Sequence, residues 1–257
     1  MSVQAIRDFA ERRPAVFFLA VTALVSVPFI LFPRIDVAFS ALFFHDQTGF
    51  WGAAANPTLR LVRKSGEFVM VSIAVIALIS LLYPLFIARS KYLPAPRNGL
   101  FLLTTLALGP GLLVNLFFKE VWGRARPREI LEFGGDLPFS RAWEIVPYCD
   151  GNCSFVSGEG SSSIWMMAIV FLVPHVFRLP LALVVFAYVF VLSLNRIVFG
   201  GHFLSDVVLS WTITLTLISA CYVFFYRGRV TEESVNTWFD RARGFLRAPL
   251  RLLGGKS

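Results

Sequence analysis

Six stretches of the chain are apolar almost without interruption, at about residues 15 to 33, 67 to 88, 98 to 118, 161 to 177, 180 to 199 and 204 to 226. Each is close to the roughly 20 residues that a helix needs to cross a bilayer. Six spans place both termini on one side. The flanks on that side carry Arg7, Arg12 and Arg13 before the first run, then Arg89, Lys91 and Arg97 after the second. His175 and Arg178 follow the fourth run, and Arg227, Arg229, Arg241, Arg243, Arg247 and Arg251 follow the sixth. The positive-inside rule makes this side cytoplasmic, so the first, third and fifth connections face the other way.

The first run follows a basic stretch, as a secretory signal does. It is longer than a signal core and has Pro28 near its far end, which predicts an uncleaved anchor. The segment from Ile35 to Trp51 mixes Phe39, Leu42, Phe43, Phe44 and Trp51 with Asp36, His45 and Asp46. That mixture predicts an interfacial helix on the outer surface, shaping the access of lipid. From Thr231 to Leu253, Trp238, Phe239, Phe245, Leu246, Leu250 and Leu252 alternate with arginines, which predicts a basic amphipathic helix on the cytoplasmic surface. The chain therefore divides into a six-span membrane domain, residues 1–230, and a tail, residues 231–257.

Composition agrees. Hydrophobic residues make up 56% of the 257, and mean hydropathy is +0.69, whereas soluble domains hold about 45 to 50% apolar residues. The net charge of +8 could suggest nucleic acid. Its basic residues sit in short clusters beside apolar runs, not along one stripe, so they fit orientation and contact with anionic lipid instead. Cys149 and Cys153 lie in the third connection, spaced Cys-Asp-Gly-Asn-Cys, and Cys221 lies within the last run. An extracytoplasmic location allows a short disulfide, with two free thiols as the alternative. A metal site there lacks a second Cys/His pair.

Three polar clusters fall on the odd-numbered connections or the helix ends beside them. Lys119 and Arg126 stand seven residues apart after the third run. Cations at a helix end commonly snorkel to headgroups. On an outer face, however, they run against the topology rule, and a Lys beside a planar Arg suits the oxygens of a phosphoryl group. Arg124 and Arg128 are neighbouring cations suited to the rim of such a site. Ser157, Gly158 and Glu159 head the fourth run, where serine caps a helix and an acid favours its positive end. The backbone N–H groups at such a helix start also cradle anions, and a glycine admits close approach. Arg196, His202 and Asp206 meet at the junction of the fifth and sixth runs, around Gly200-Gly201. Ionisable groups at a membrane edge are costly without a function. An Asp four residues beyond a His can hold one ring nitrogen protonated and leave the other as a nucleophile.

These clusters resemble the signature of the type 2 phosphatidic acid phosphatase superfamily, the membrane branch of the fold shared with vanadium haloperoxidases. That signature is Lys, six residues, Arg-Pro; then Pro-Ser-Gly-His; then Ser-Arg, five residues, His, three residues, Asp. Lys119, Arg126 and Pro127 match the first part, Ser157 and Gly158 the second, and Arg196, His202 and Asp206 the third. Val156 replaces the proline, Asn195 replaces the serine, and Glu159 stands where the family has a histidine that protonates the leaving oxygen. A carboxyl group can take that part. The stretch Asn-Cys-Ser-Phe-Val-Ser-Gly-Glu also resembles a bacterial subgroup that includes lipid A phosphatases.

The resemblance implies an all-α membrane bundle at the bacterial inner membrane, with its active site facing the periplasm and no metal or cofactor. His202 would attack phosphorus and form a phosphohistidine, with Asp206 orienting the ring and Glu159 as general acid. Lys119, Arg126 and Arg196 would hold the phosphoryl oxygens, completed by Ser157 and the Gly158 N–H. The implied partner is a phosphorylated membrane lipid, lipid A first, with undecaprenyl diphosphate and phosphatidylglycerol phosphate as rivals. A lipid phosphotransferase and a catalytically weakened lipid-binding homologue are the other readings.

Overall fold

The computed structural model describes residues 2–51, 56–87, 94–228 and 230–253. The chain opens with α1 (Val3–Arg12), capped by the Ser2 hydroxyl, which accepts the Ala5 N–H. Next come α2 (Pro14–Leu31) and the short α3 (Arg34–Ala41). A small antiparallel hairpin follows, with Phe44 paired to Phe50 and His45 to Gly49 across β1 (Phe44–His45) and β2 (Gly49–Phe50). Asn56 then caps α4 (Pro57–Leu82), accepting the N–H groups of Thr58 and Leu59. The third hydrophobic run is α5 (Pro96–Leu106), which passes into a π-helix over Ala107–Phe118 and ends in α6 (Lys119–Val121). Pro110 lies inside the π segment. A proline has no N–H to give the ladder and crowds the turn before it. Finally come α7 (Gly158–Trp165), α8 (His175–Val198), α9 (Leu204–Tyr222) and α10 (Glu232–Leu253).

Five of these helical segments are long and apolar enough to cross a membrane: Pro14–Leu31, Pro57–Leu85, Pro96–Val121, His175–Val198 and Leu204–Arg227. The expected fourth span is shorter than its hydropathy suggested. It consists of α7 and a 3-10 extension over Met166–Phe171, which at the usual rise per residue reach roughly 24 Å against a hydrocarbon core of about 30 Å. It packs against α8 and α9, and Ser161, Ile164, Trp165 and Ala168 are wholly buried, so neighbouring helices shield much of it from lipid. The second span starts ten residues earlier than the apolar run implied. Its first turns carry Arg60, Arg63 and Lys64, which an average over hydropathy excludes. The interfacial element also differs from expectation. The helix covers eight residues and the hairpin takes the rest, while Asp36 is fully buried instead of lying at the headgroups.

Lipid-facing sides of the spans expose Leu19, Leu24, Leu61, Phe68, Val71, Leu183 and Val184, as a chain with apolar solvent does. Hydroxyl and indole groups join the helices inside. Ser161 Oγ and Thr214 Oγ1 are 2.7 Å apart, Trp165 Nε1 donates to Thr105 Oγ1 at 3.0 Å, and Trp211 Nε1 donates to Ser193 Oγ at 3.1 Å. Such bonds hold helices together where the hydrophobic effect between them is absent. At one end of the bundle, α10 lays Val235, Trp238 and Phe239 toward Leu81, Leu85 and Leu100. The opposite end gathers the C-termini of α2 and α8, the α6 turn and the N-termini of α4, α7 and α9.

Candidate active site

Arg124, in the connection after α6, is the buried centre of that end. None of its surface is exposed. Its Nη1 donates to Asp206 Oδ1 at 2.6 Å and to Ser205 Oγ at 2.8 Å, its Nη2 donates to Asp36 Oδ2 at 2.8 Å, and its Nε donates to the Ser140 carbonyl at 3.1 Å. The ring of Phe203 lies 4.3 Å below the guanidinium. Asp36 in turn accepts the Ser205 N–H at 2.8 Å, which ties α3 to the first turn of α9. Burial pushes the Asp36 carboxyl up from its ordinary pKa, against the pull of Arg124. The expectation of Arg124 as a rim cation is therefore corrected: two carboxylates compensate its charge inside the protein, and no N–H faces a ligand.

His202 is also buried, at 3% exposure, in the break between α8 and α9. Gly200 makes this break with φ of +61°, and a Cβ there would lie 2.5 Å from the Phe50 ring. The expected contact between Asp206 and the imidazole is not direct. Nδ1 lies 3.8 Å from Asp206 Oδ2 but 2.9 Å from the Ser154 carbonyl. A carbonyl only accepts, so Nδ1 carries the proton and the neutral ring keeps its lone pair on Nε2. Asp206 acts one step back. Its Oδ2 accepts from Ser154 Oγ at 2.6 Å and from the Phe203 N–H at 2.9 Å, fixing both neighbours of the histidine. Burial lowers the His202 pKa below its ordinary value, more than the Asp206 carboxylate raises it.

A single residue holds two of the expected phosphate ligands. Lys119 Nζ donates to Asn152 Oδ1 at 2.8 Å, and Arg126 Nη2 donates to the Asn152 carbonyl at 2.6 Å. Asn152 adopts a left-handed φ of +50° within the ring closed by the Cys149–Cys153 disulfide. The ring is docked on the end of the third span, with the Cys153 N–H on the Lys119 carbonyl at 3.1 Å and the Asn152 N–H on Glu120 Oε1 at 3.1 Å. Of the two cysteine alternatives, the structure contains the disulfide. Lys119 lies within electrostatic reach of Arg126 and Arg196, and His202 within reach of Lys119 and Arg196.

Ser157 caps α7, its Oγ accepting the Gly160 N–H at 3.0 Å, so the plain helix-start reading of that serine describes its contact. Gly158 leaves room for two polar side-chain ends. A Cβ there would lie 2.7 Å from Asn115 Oδ1 and 3.0 Å from Lys119 Nζ. Glu159 is placed differently from a proton donor. One carboxylate oxygen pairs with Arg63 Nη2 at 2.7 Å and the other with Arg196. The carboxylate is thus the shared counter-ion of two guanidinium groups.

The geometry thus gathers all eight residues read from sequence at one end of the bundle. It adds Asp36, Asn152, Ser154 and Arg63, of which only Asp36 had drawn notice, as a polar residue in an aromatic segment. Among the described residues no group of three His, Cys, Asp or Glu side chains is placed to hold a metal ion.

Comparison with known proteins gives this geometry a family. The chain is 37% identical over 212 residues to a lipid A 4'-phosphatase of Rhizobium leguminosarum, covering 77% of this chain and 90% of that protein. It is 32% identical over 203 residues to a lipid A 4'-phosphatase of Francisella tularensis subsp. novicida, with the same coverage. It is 35% identical over 210 residues to a lipid A 4'-phosphatase of Rhizobium etli, covering 77% of this chain and 81% of that protein. No solved structure matches the chain. The PAP2 superfamily model matches residues 98–229. That stretch contains Lys119, Arg126, Ser157, Gly158, Glu159, Arg196, His202 and Asp206, whereas Asp36 and Arg63 lie outside it. Sequence and site therefore agree that this chain belongs to the PAP2 superfamily.

Proposed function

We propose that this protein is a metal-independent phosphatase that removes a phosphate monoester from lipid A at the extracytoplasmic face of the bilayer, through a phosphohistidine on His202. The observation that carries this reading is the Nδ1–H of His202 held by the Ser154 carbonyl at 2.9 Å, which commits the lone pair to Nε2 in a ring within electrostatic reach of Lys119 and Arg196. In the first step Nε2 bonds to phosphorus as the P–O bond to the lipid breaks and the departing oxygen takes a proton from water, while Lys119, Arg126 and Arg196 neutralise the charge on the phosphoryl oxygens. Water then breaks the P–N bond, releases inorganic phosphate and restores the imidazole. Glu159 serves as the counter-ion that aims Arg196, and Asp206 fixes Ser154 and thereby the ring.

Lipid A as the substrate rests on the names of the three relatives and their coverage. The periplasmic orientation, in a bacterial inner membrane, is supported by the arginines at the opposite end of the bundle and by the Cys149–Cys153 disulfide, a bond that persists in oxidising compartments. In this arrangement α10 is the cytoplasmic tail. The test is purified protein incubated with lipid A, followed by mass spectrometry of the lipid and assay of free phosphate. The expected result is one free phosphate for each dephosphorylated lipid. Phosphate found on an acceptor lipid would make the protein a phosphotransferase, and no phosphate movement from any lipid would make it a binding protein.

A further inference from the structure

A cavity of about 240 Å³ lies beside the phosphate cations, between the first turns of α4, the end of the π-helix, α7 and α8. Lys119 and Gly158 line it, so it is continuous with the site that would hold phosphate. Met70, Met166 and Leu192 give it an apolar part, Asn115 and Ser162 a neutral polar part, and Arg63, Glu67 and Glu159 add charge to the lining. Whole drug-sized ligands occupy about 300 to 1,000 Å³, so this space takes one part of an amphiphile.

Asn115 sits inside a membrane-spanning segment, four residues before Lys119, and faces the start of α7. Its amide forms no hydrogen bond with the described residues, nor does the Ser162 hydroxyl. Asn115 is exposed and Ser162 half-buried, so both are open to a ligand that enters the cavity. An alkyl chain would leave both unmet. A ring bearing hydroxyl and amide groups meets them and lays its C–H face on the methionines and Leu192.

We propose that this cavity is the subsite for the sugar ring that carries the phosphate, with Asn115 and Ser162 as specificity-determining residues that hydrogen-bond its hydroxyl and amide groups. This rests on the reading of the substrate as a phosphorylated glycolipid. The test uses two phosphate-free amphiphiles with the same acyl chain, one an N-acyl glucosamine and one a glycerol ester, titrated into the full-length protein in detergent. The wild type is expected to bind the sugar amphiphile more tightly. Asn115→Leu and Ser162→Ala should each weaken that binding about three- to tenfold, the cost of one lost hydrogen bond, and should narrow the preference. A wild type without preference, or variants that keep it in full, would overturn the proposal; if Asn115→Leu fails to fold, Ser162→Ala decides alone. Because neither probe carries phosphate, a protein that binds the sugar but releases no phosphate from lipid A would refute the phosphatase reading and leave the subsite standing.

Discussion

Arg124 Nη1 donates to Asp206 Oδ1 across 2.6 Å, and neither side chain reaches solvent. The same guanidinium holds Asp36 from α3, so one cation compensates two buried carboxylates. Removing it leaves both charges without a partner, a loss that costs about 3 to 5 kcal/mol for a buried pair. Arg124→Met should therefore lower the stability of the detergent-solubilised protein by that order in thermal or denaturant unfolding. Arg124→Lys should fall between, since an ammonium keeps the charge but lacks the fork that spans Asp36, Ser205 and Asp206. A methionine variant as stable as the wild type would remove Arg124 from its place as the anchor.

His202→Ala should abolish phosphate release, because it removes the Nε2 that takes the phosphoryl group. The pH profile gives a finer test. The attacking form is the neutral imidazole, and burial lowers the pKa of His202, with Asp206 opposing and Arg196 and Lys119 reinforcing the shift. Activity is therefore present above the folded-state pKa and lost as pH falls through it. The acid limb of kcat/KM should lie below the ordinary histidine value of about 6.5. An acid limb above that value would mean that the imidazolium is favoured in the free enzyme, against the effect of burying the ring.

Orientation is open to measurement without activity. In a Cys221→Ser background, a cysteine placed at Asp136, on the exposed connection before α7, should react with an impermeant thiol reagent in intact spheroplasts. A cysteine at Glu233, in the first turn of α10, should react only after lysis. The opposite pattern would put the site in the cytoplasm and exclude envelope lipid as its substrate.

Residues that carry charge at the end of an apolar run stand out in a sequence, which is why Lys119, Arg126, Arg196, His202 and Asp206 were legible before the fold. Their supports were not, for reasons specific to each. Ser154 contributes a backbone carbonyl, and a carbonyl has no residue identity to read. Asn152 acts through a left-handed backbone inside a disulfide ring, a conformation set by the ring and its docking on α6. Asp36 reads as one acid in an aromatic surface segment until α3 turns it inward onto Arg124. Arg63 was lost because the apolar run starts at residue 67, beyond the charged first turns of α4. The fourth span was read as a full crossing because hydropathy records apolar side chains and not whether protein or lipid covers them.

Glu159 occupies the position at which the family keeps a histidine, and the two roles open to it separate experimentally. As a general acid it would help only substrates with a poor leaving group, so Glu159→Gln would slow lipid A and spare p-nitrophenyl phosphate, whose leaving group departs without a proton. In the structure its two oxygens face Arg63 and Arg196, which makes it the counter-ion of the arginine proposed to hold phosphate. Gln keeps the shape but removes the charge, so Arg196 loses its partner on both substrates alike. The expected result is a comparable loss of kcat/KM on lipid A and on p-nitrophenyl phosphate, of about fivefold, the upper end for a partly exposed ion pair. Arg63→Gln should give a smaller loss in the same pattern, because it frees Glu159 at one oxygen and leaves the Arg196 contact. A loss confined to lipid A would restore Glu159 as the proton donor, and it would require the carboxylate to leave both arginines before the lipid oxygen departs.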